Sequence, residues 1–139
     1  MYLINMLIFA ALSILHFYWA AGGKWGATNS VPAKASGETL FMPSPLATFV
    51  VALGLLGLAL VMLGNSGFFD FLIARKYLYY ADIAIGALFI IRAIGDFLYV
   101  GFFKKVIGTV FAKYDTAFYS PLCLLLGLIS IYLGITQSV

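Results

Sequence analysis

The sequence predicts an all-α membrane protein, a four-transmembrane-helix bundle with a long surface-lying loop between helices 1 and 2. Three observations carry this expectation. Only 9% of the 139 residues are charged and 64% are hydrophobic, whereas soluble domains carry about 25% charged residues. Four apolar runs, near residues 2–21, 45–63, 77–103 and 118–136, approach or exceed the ~20 residues that cross ~30 Å of hydrocarbon. None alternates apolar and polar residues as a transmembrane strand would, and backbone in lipid must satisfy its own hydrogen bonds, so the runs read as helices. The length suits a single four-helix domain over residues 1–139.

The first run is interrupted only by Asn5, Ser13 and His16. No Lys or Arg precedes it, and it exceeds the apolar core of a secretory signal, so it reads as a retained helix. Gly22, Gly23 and Gly26 are expected to terminate it and turn the chain. The following loop, residues 22–43, is rich in Gly, Ser and Ala yet holds Trp25, Leu40, Phe41 and Met42. A loop of that length is uncommon without a role, so it is expected to lie on the membrane surface and pack over helix ends. Ser44 and Pro45 mark the start of the second helix, as N-cap and first-turn proline. Gly54, Gly57 and Gly64 are expected to allow close helix approach there.

Residues 64–76 open on Asn65-Ser66-Gly67, a turn signal, and continue through an interfacial segment at 68–72. The third helix is expected to run unbroken over 77–103. The fourth is expected to open near Ser120-Pro121-Leu122, or one turn earlier with Asp115 or Thr116 as cap. The two Ser-Pro-Leu sites read as coincidence, because little else aligns at that offset. The loops 22–43 and 104–117 share one side and carry Lys24, Lys34, Lys104, Lys105 and Lys113, against Arg75 and Lys76 on the other. The positive-inside rule places the two larger loops in the cytoplasm and both termini outside, in a multi-pass membrane protein.

Composition excludes several classes of function. The net charge is +3 and no basic cluster goes beyond a dipeptide such as Lys104-Lys105, so no nucleic-acid partner is expected. One cysteine, Cys123, cannot close an intramolecular disulfide and reads as a packing residue. A single histidine makes a metal centre unexpected. The glycines near residue 22 lack the Gly-Lys-Ser/Thr of a phosphate loop. No cofactor is expected, and no residue is assigned a catalytic role.

Arg92 lies deep in the third run, where a charge costs roughly 2.5–3.5 kcal/mol on insertion scales. Asp96 follows four residues later, and Asp82 precedes Arg92 by ten, about 80° around the helix. All three fall on one stripe expected to face the bundle interior, with Arg92 and Asp96 as an i,i+4 pair. His16 lies in the same half of the membrane, beneath the two larger loops, as a structural residue or a proton carrier. Trp19, Trp25, Tyr18, Tyr114 and Tyr119 read as an interfacial aromatic belt, some of them lining a cavity mouth. The polar-core or ligand-binding candidates are therefore His16, Trp19, Trp25, Asp82, Arg92, Asp96, Asp115 and Tyr119.

Three stretches carry a resemblance: 16–26 (HFYWAAGGKWG), 92–97 (RAIGDF), and Asp115 followed by 119–123 (YSPLC). Together they resemble a family of small bacterial four-helix membrane proteins catalogued as a domain of unknown function, over nearly the whole chain. The resemblance implies an integral membrane protein with this helix count and supplies no activity, ligand or catalytic residue. Three roles fit the residues. The first is binding or moving a small anionic or lipid-like molecule beside Arg92, in a homo-oligomer if one chain is too short to transport. The second is an accessory subunit of a larger membrane complex. The third is a membrane enzyme with His16 and Asp96 as acid and base.

Overall fold

A computed structural model describes residues 1–68 and 74–137. It contains four helices long and apolar enough to cross a membrane. They are α1 (Tyr2–Ala20), α2 (Pro45–Leu63), α3 (Arg75–Ile94) and α4 (Val110–Thr136). Among the described residues the only extended pairing is one isolated bridge, Ala33 with Thr39. The interfacial segment expected at 68–72 lies outside the described residues, apart from the backbone of Phe68.

The ends of α1 and α2 follow from their sequence. Gly22 takes φ +97°, and Gly22 and Gly23 donate N–H to the carbonyls of Trp19 and Tyr18. This is the paired C-terminal closure that favours glycine in the left-handed region. Ser44 accepts the N–H of Ala47 at 3.1 Å ahead of Pro45. The loop 22–43 folds over the helix ends. A short 3-10 turn at Thr28–Ser30 brings Ser30 Oγ to 3.2 Å from the hydroxyl of Tyr119 on α4.

The third helix is shorter than expected. It stops at Ile94 because Gly95 adopts φ +89°, ψ −168°, and a Cβ there would overlap the Val100 carbonyl. The chain then doubles back, with Phe102 N–H donating to the carbonyl of Ala93 at 2.8 Å. Asp96 sits in this turn, not on the helix, and its Oδ1 accepts the N–H groups of Leu98, Tyr99 and Val100 at 2.7–2.9 Å. The apolar residues 97–103 mimic helix continuation by hydropathy. A glycine stop followed by an aspartate that captures backbone N–H groups decides otherwise.

Desolvation, the largest single influence, pushes the Asp96 carboxyl up, but the N–H groups of Val100, Leu98 and Tyr99 together outweigh it and hold the group below the ordinary carboxylate range. A carboxyl lowered in the folded state holds the turn above pH about 4 and loses that hold as acid protonates it. Asp96→Ala is expected to speed amide exchange at Leu98, Tyr99 and Val100 by about tenfold, equivalent to one net hydrogen bond. Unchanged exchange would remove this account of the turn.

The start of α4 also differs. Thr109, not Asp115, Thr116 or Ser120, is the N-cap, accepting Ala112 N–H at 3.1 Å. The helix passes from Val110–Tyr114 through a π turn at Asp115–Tyr119 into Ser120–Gln137. Ser120 and Pro121 are therefore internal, and Ser120 is fully buried. The proline is tolerated because the π turn re-routes the backbone bonds, with Ser120 N–H donating to the Asp115 carbonyl.

α1 packs along α2 and α3 along α4, while the two pairs touch each other sparingly. The α3–α4 seam depends on small residues. A Cβ on Gly86 would lie 2.8 Å from the Gly127 carbonyl oxygen. The close approach expected of Gly54 and Gly57 is absent, because nothing lies within 4 Å of a Cβ at either position. The pairs meet through Phe9, Leu55, Ala59, Met62, Ile85, Leu126 and Leu133. Buried interhelical hydrogen bonds support them: Ser13 Oγ to the Ala52 carbonyl at 2.8 Å, and Asn5 Nδ2 to Ser130 Oγ at 3.1 Å, each worth on the order of 0.6 kcal/mol in lipid. The outward faces stay apolar, with Leu7, Ile14, Leu46, Ile91 and Leu128 all exposed.

Candidate functional site

Where the two helix pairs diverge, beneath the 22–43 loop, a cavity of about 980 Å³ opens between all four helices. Its walls are mainly apolar, from Leu12, Leu15, Leu55, Leu58, Leu88 and Phe89. Five of the eight candidate residues line it: His16, Trp19, Trp25, Arg92 and Tyr119. A second cavity of about 680 Å³ lies under the loop and shares His16, Trp19, Ser30 and Val51 with the first. His16 and Trp19 therefore stand in the partition between the two.

Arg92 is anchored from another helix. Its Nη2 donates to Asp115 Oδ1 at 2.9 Å. The other carboxylate oxygen accepts Lys104 Nζ at 3.0 Å and the N–H of Gly101 at 2.8 Å. Lys104 also donates to the Gly101 carbonyl at 2.8 Å and to Thr116 Oγ1 at 2.7 Å. The side chains of Asp115 and Lys104 are 0% and 2% exposed, and that of Arg92 is 34% exposed. One buried carboxylate thus sits between two cations, an arrangement that carries one net positive charge. Arg92 Nη1 is buried and has no hydrogen-bond partner among the described residues.

The expected Arg92–Asp96 pair does not exist, because the helix ends between the two residues. Asp96 is exposed, lies outside both cavities, and commits Oδ1 to the backbone. His16 and Asp96 therefore share no chamber in which to act as acid and base. Asp82 is also displaced from the site. It is fully buried ten residues before Arg92, its Oδ2 accepts Asn65 Nδ2 at 2.8 Å, and it lines neither cavity. Ten residues of helix rise are about 15 Å, which puts the two residues at different depths.

The remaining polar groups are mostly engaged. His16 Nδ1 lies 2.8 Å from the Leu12 carbonyl. A carbonyl only accepts, so Nδ1 carries a proton. The His16 ring meets Trp19 edge-on at 4.9 Å. Trp19 Nε1 donates to the Trp25 carbonyl at 2.8 Å, pinning the loop to α1. Ser30 gives its one hydroxyl proton to the Gly26 carbonyl, so Tyr119 is the donor in the Tyr119–Ser30 bond. Tyr119 stacks with Tyr114 at 6.4 Å. Trp25 itself is 75% exposed.

Lys104 and Ser30 are site residues that sequence reasoning missed. Lys104 read as a loop charge setting orientation, since nothing local links it to Asp115. One signal was available: once Gly95 is taken as a stop, Asp82 and Asp115 are the only acids inside the four helices. Of these, only Asp115 belongs to the end that holds Arg92. Among the described residues no group of three or more His, Cys, Asp or Glu is placed to hold a metal ion.

Residues 9–130, most of the chain, match the family described as Protein of unknown function (DUF3995). No curated protein and no solved structure matches the chain.

Proposed function

We propose that this chain, which belongs to the DUF3995 family of proteins of unknown function, spans a cell membrane four times and binds or moves a small anionic or lipid-like molecule in the cavity beside Arg92. The observation that carries this reading is that Arg92 lines a mainly apolar chamber while its guanidinium keeps one nitrogen, the buried Nη1, without a hydrogen-bond partner among the described residues. A guanidinium left short of acceptors at that depth is costly. A bound anion would supply the acceptor, and guanidinium suits carboxylate and phosphate oxygens. Lipid as the surrounding medium is supported by the apolar outward faces of all four helices, which in water would form patches far beyond those of soluble proteins.

The orientation proposed from loop charge keeps its sign on a smaller margin. Lys104 is consumed by Asp115, which leaves Lys24, Lys34, Lys105 and Lys113 on the larger-loop side against Arg75 and Lys76. The larger loops are thus proposed to face the cytoplasm.

The test compares wild type with Arg92→Gln by native mass spectrometry from mild detergent. The variant leaves Asp115 neutralised by Lys104, so the fold is expected to persist. Wild type is expected to carry a non-protein adduct that the variant loses by tenfold or more, the value of one charge-assisted hydrogen bond. Equal adduct on both, or a co-purifying protein with no small molecule, would overturn the reading. The second of these results would favour an accessory subunit.

A further inference from the structure

We infer that the occupant of the cavity is an amphiphile whose head carries a single negative charge, a carboxylate or a phosphodiester, with its hydrocarbon portion lying between the helix pairs. This rests on the binding role proposed for Arg92 and names the chemistry of its ligand.

The charge follows from the hydrogen bonds around Asp115. Both of its oxygens are taken, Oδ1 by Arg92 and Oδ2 by Lys104 and Gly101. The Lys104 ammonium has three protons and three acceptors: Asp115, the Gly101 carbonyl and Thr116. It offers nothing to a ligand. Of the charged side chains in this cluster only Arg92 reaches the cavity. The cavity thus presents one uncompensated positive charge through the partly exposed Arg92 guanidinium. A monoanion neutralises it. A dianion, such as a phosphomonoester at about −1.5 to −2, would leave a negative charge buried without a partner.

The tail follows from the lining. The polar lining residues His16, Asn29, Ser30, Tyr114 and Tyr119 gather with Arg92 toward the 22–43 loop, and away from that end the walls are Leu12, Leu55, Leu58, Leu88 and Phe89. Trp19 Nε1 and the Tyr119 hydroxyl proton, two donors that might have read a polar body, are spent on Trp25 and Ser30. A hydroxyl-rich anion, such as a sugar phosphate, would lose its hydration there without replacement. At about 980 Å³ the chamber lies at the upper end of the range for small-molecule sites, room that a small inorganic anion would leave empty. Gly54 faces this space, and nothing lies within 4 Å of a Cβ built on it.

The test offers defined lipids to the whole chain in mild detergent at pH 8, with retained adducts read by native mass spectrometry. The probes are palmitate, dioleoyl phosphatidylglycerol, dioleoyl phosphatidic acid and dioleoyl phosphatidylcholine. Palmitate or phosphatidylglycerol, or both, are expected at tenfold or more over phosphatidic acid and phosphatidylcholine, with the preference abolished in Arg92→Gln. The two favoured probes separate a single-chain carboxylate from a two-chain phosphodiester. Gly54→Leu is expected to lower retention of the favoured probe while leaving the preference for one charge intact. Arg92-dependent binding that favours phosphatidic acid would overturn the inference and leave the binding role standing. Equal retention of all four lipids, or retention indifferent to Arg92→Gln, would overturn both. Unchanged retention in Gly54→Leu would place the tail elsewhere and overturn the inferred pose.

Discussion

Asp115→Asn is expected to destabilise the folded chain by about 3–5 kcal/mol, the cost typical of removing one partner from a buried charge pair. The replacement keeps shape and volume, so no cavity contributes. It removes the one negative charge between Arg92 and Lys104, and Lys104, 2% exposed, has no route to solvent. The amide still accepts on one side, but its NH2 then faces a cation and the N–H of Gly101. Arg92→Gln should cost much less, since Lys104 and Asp115 then neutralise each other. Adding Lys104→Met to Asp115→Leu should recover part of the loss of Asp115→Leu alone, because groups in one network do not add independently. Unfolding in detergent micelles, by heat or denaturant, measures all of these. An Asp115→Asn chain within 1 kcal/mol of wild type would show that the triad is not buried as described.

Gly86→Leu is the other large effect expected, about 3 kcal/mol or more, at the high end of over-packing. α3 and α4 approach so closely that a single Cβ at Gly86 overlaps Ile131 and the backbone of Gly127. Backbone cannot turn aside as a flexible side chain can, so the helices must part and their shared contacts loosen. Gly57→Leu provides the contrast. It lies on α2, nothing is within 4 Å of its Cβ, and the change should stay within about 0.5 kcal/mol. Equal effects at the two positions, by the same unfolding measurement, would contradict the packing.

The contrast between these glycines marks what the sequence could disclose. Hydropathy over a 20-residue window finds membrane-length helices because each averages many residues. Local chemistry fixed their better ends, with Ser44-Pro45 opening α2 and Gly22-Gly23 closing α1. Which glycine meets another helix depends on how helices rotate against one another, and no pattern within α2 encodes that. The end of α3 failed for a different reason. Phe97, Leu98, Tyr99 and Val100 are as apolar as the helix before them, so a reading led by hydropathy passed over Gly95. That error moved Asp96 onto the helix and gave Arg92 the wrong partner. The depth of Arg92, and its company of His16, Trp19, Trp25 and Tyr119, needed only helix direction and spacing. Its pairing with Asp115 and Lys104 needed the π turn at Asp115–Tyr119 and the reversed turn after Gly95, two local irregularities that bring together residues distant in sequence.

A high-resolution structure of the chain in a lipid bilayer tests the central claim most directly, through the density next to Arg92. We expect an elongated feature with its acidic end about 2.7–2.9 Å from the Arg92 guanidinium and its tail against Leu55, Leu58 and Phe89. A guanidinium turned outward to the acyl chains, or a chamber closed by its own side chains with nothing beside Arg92, would contradict the account.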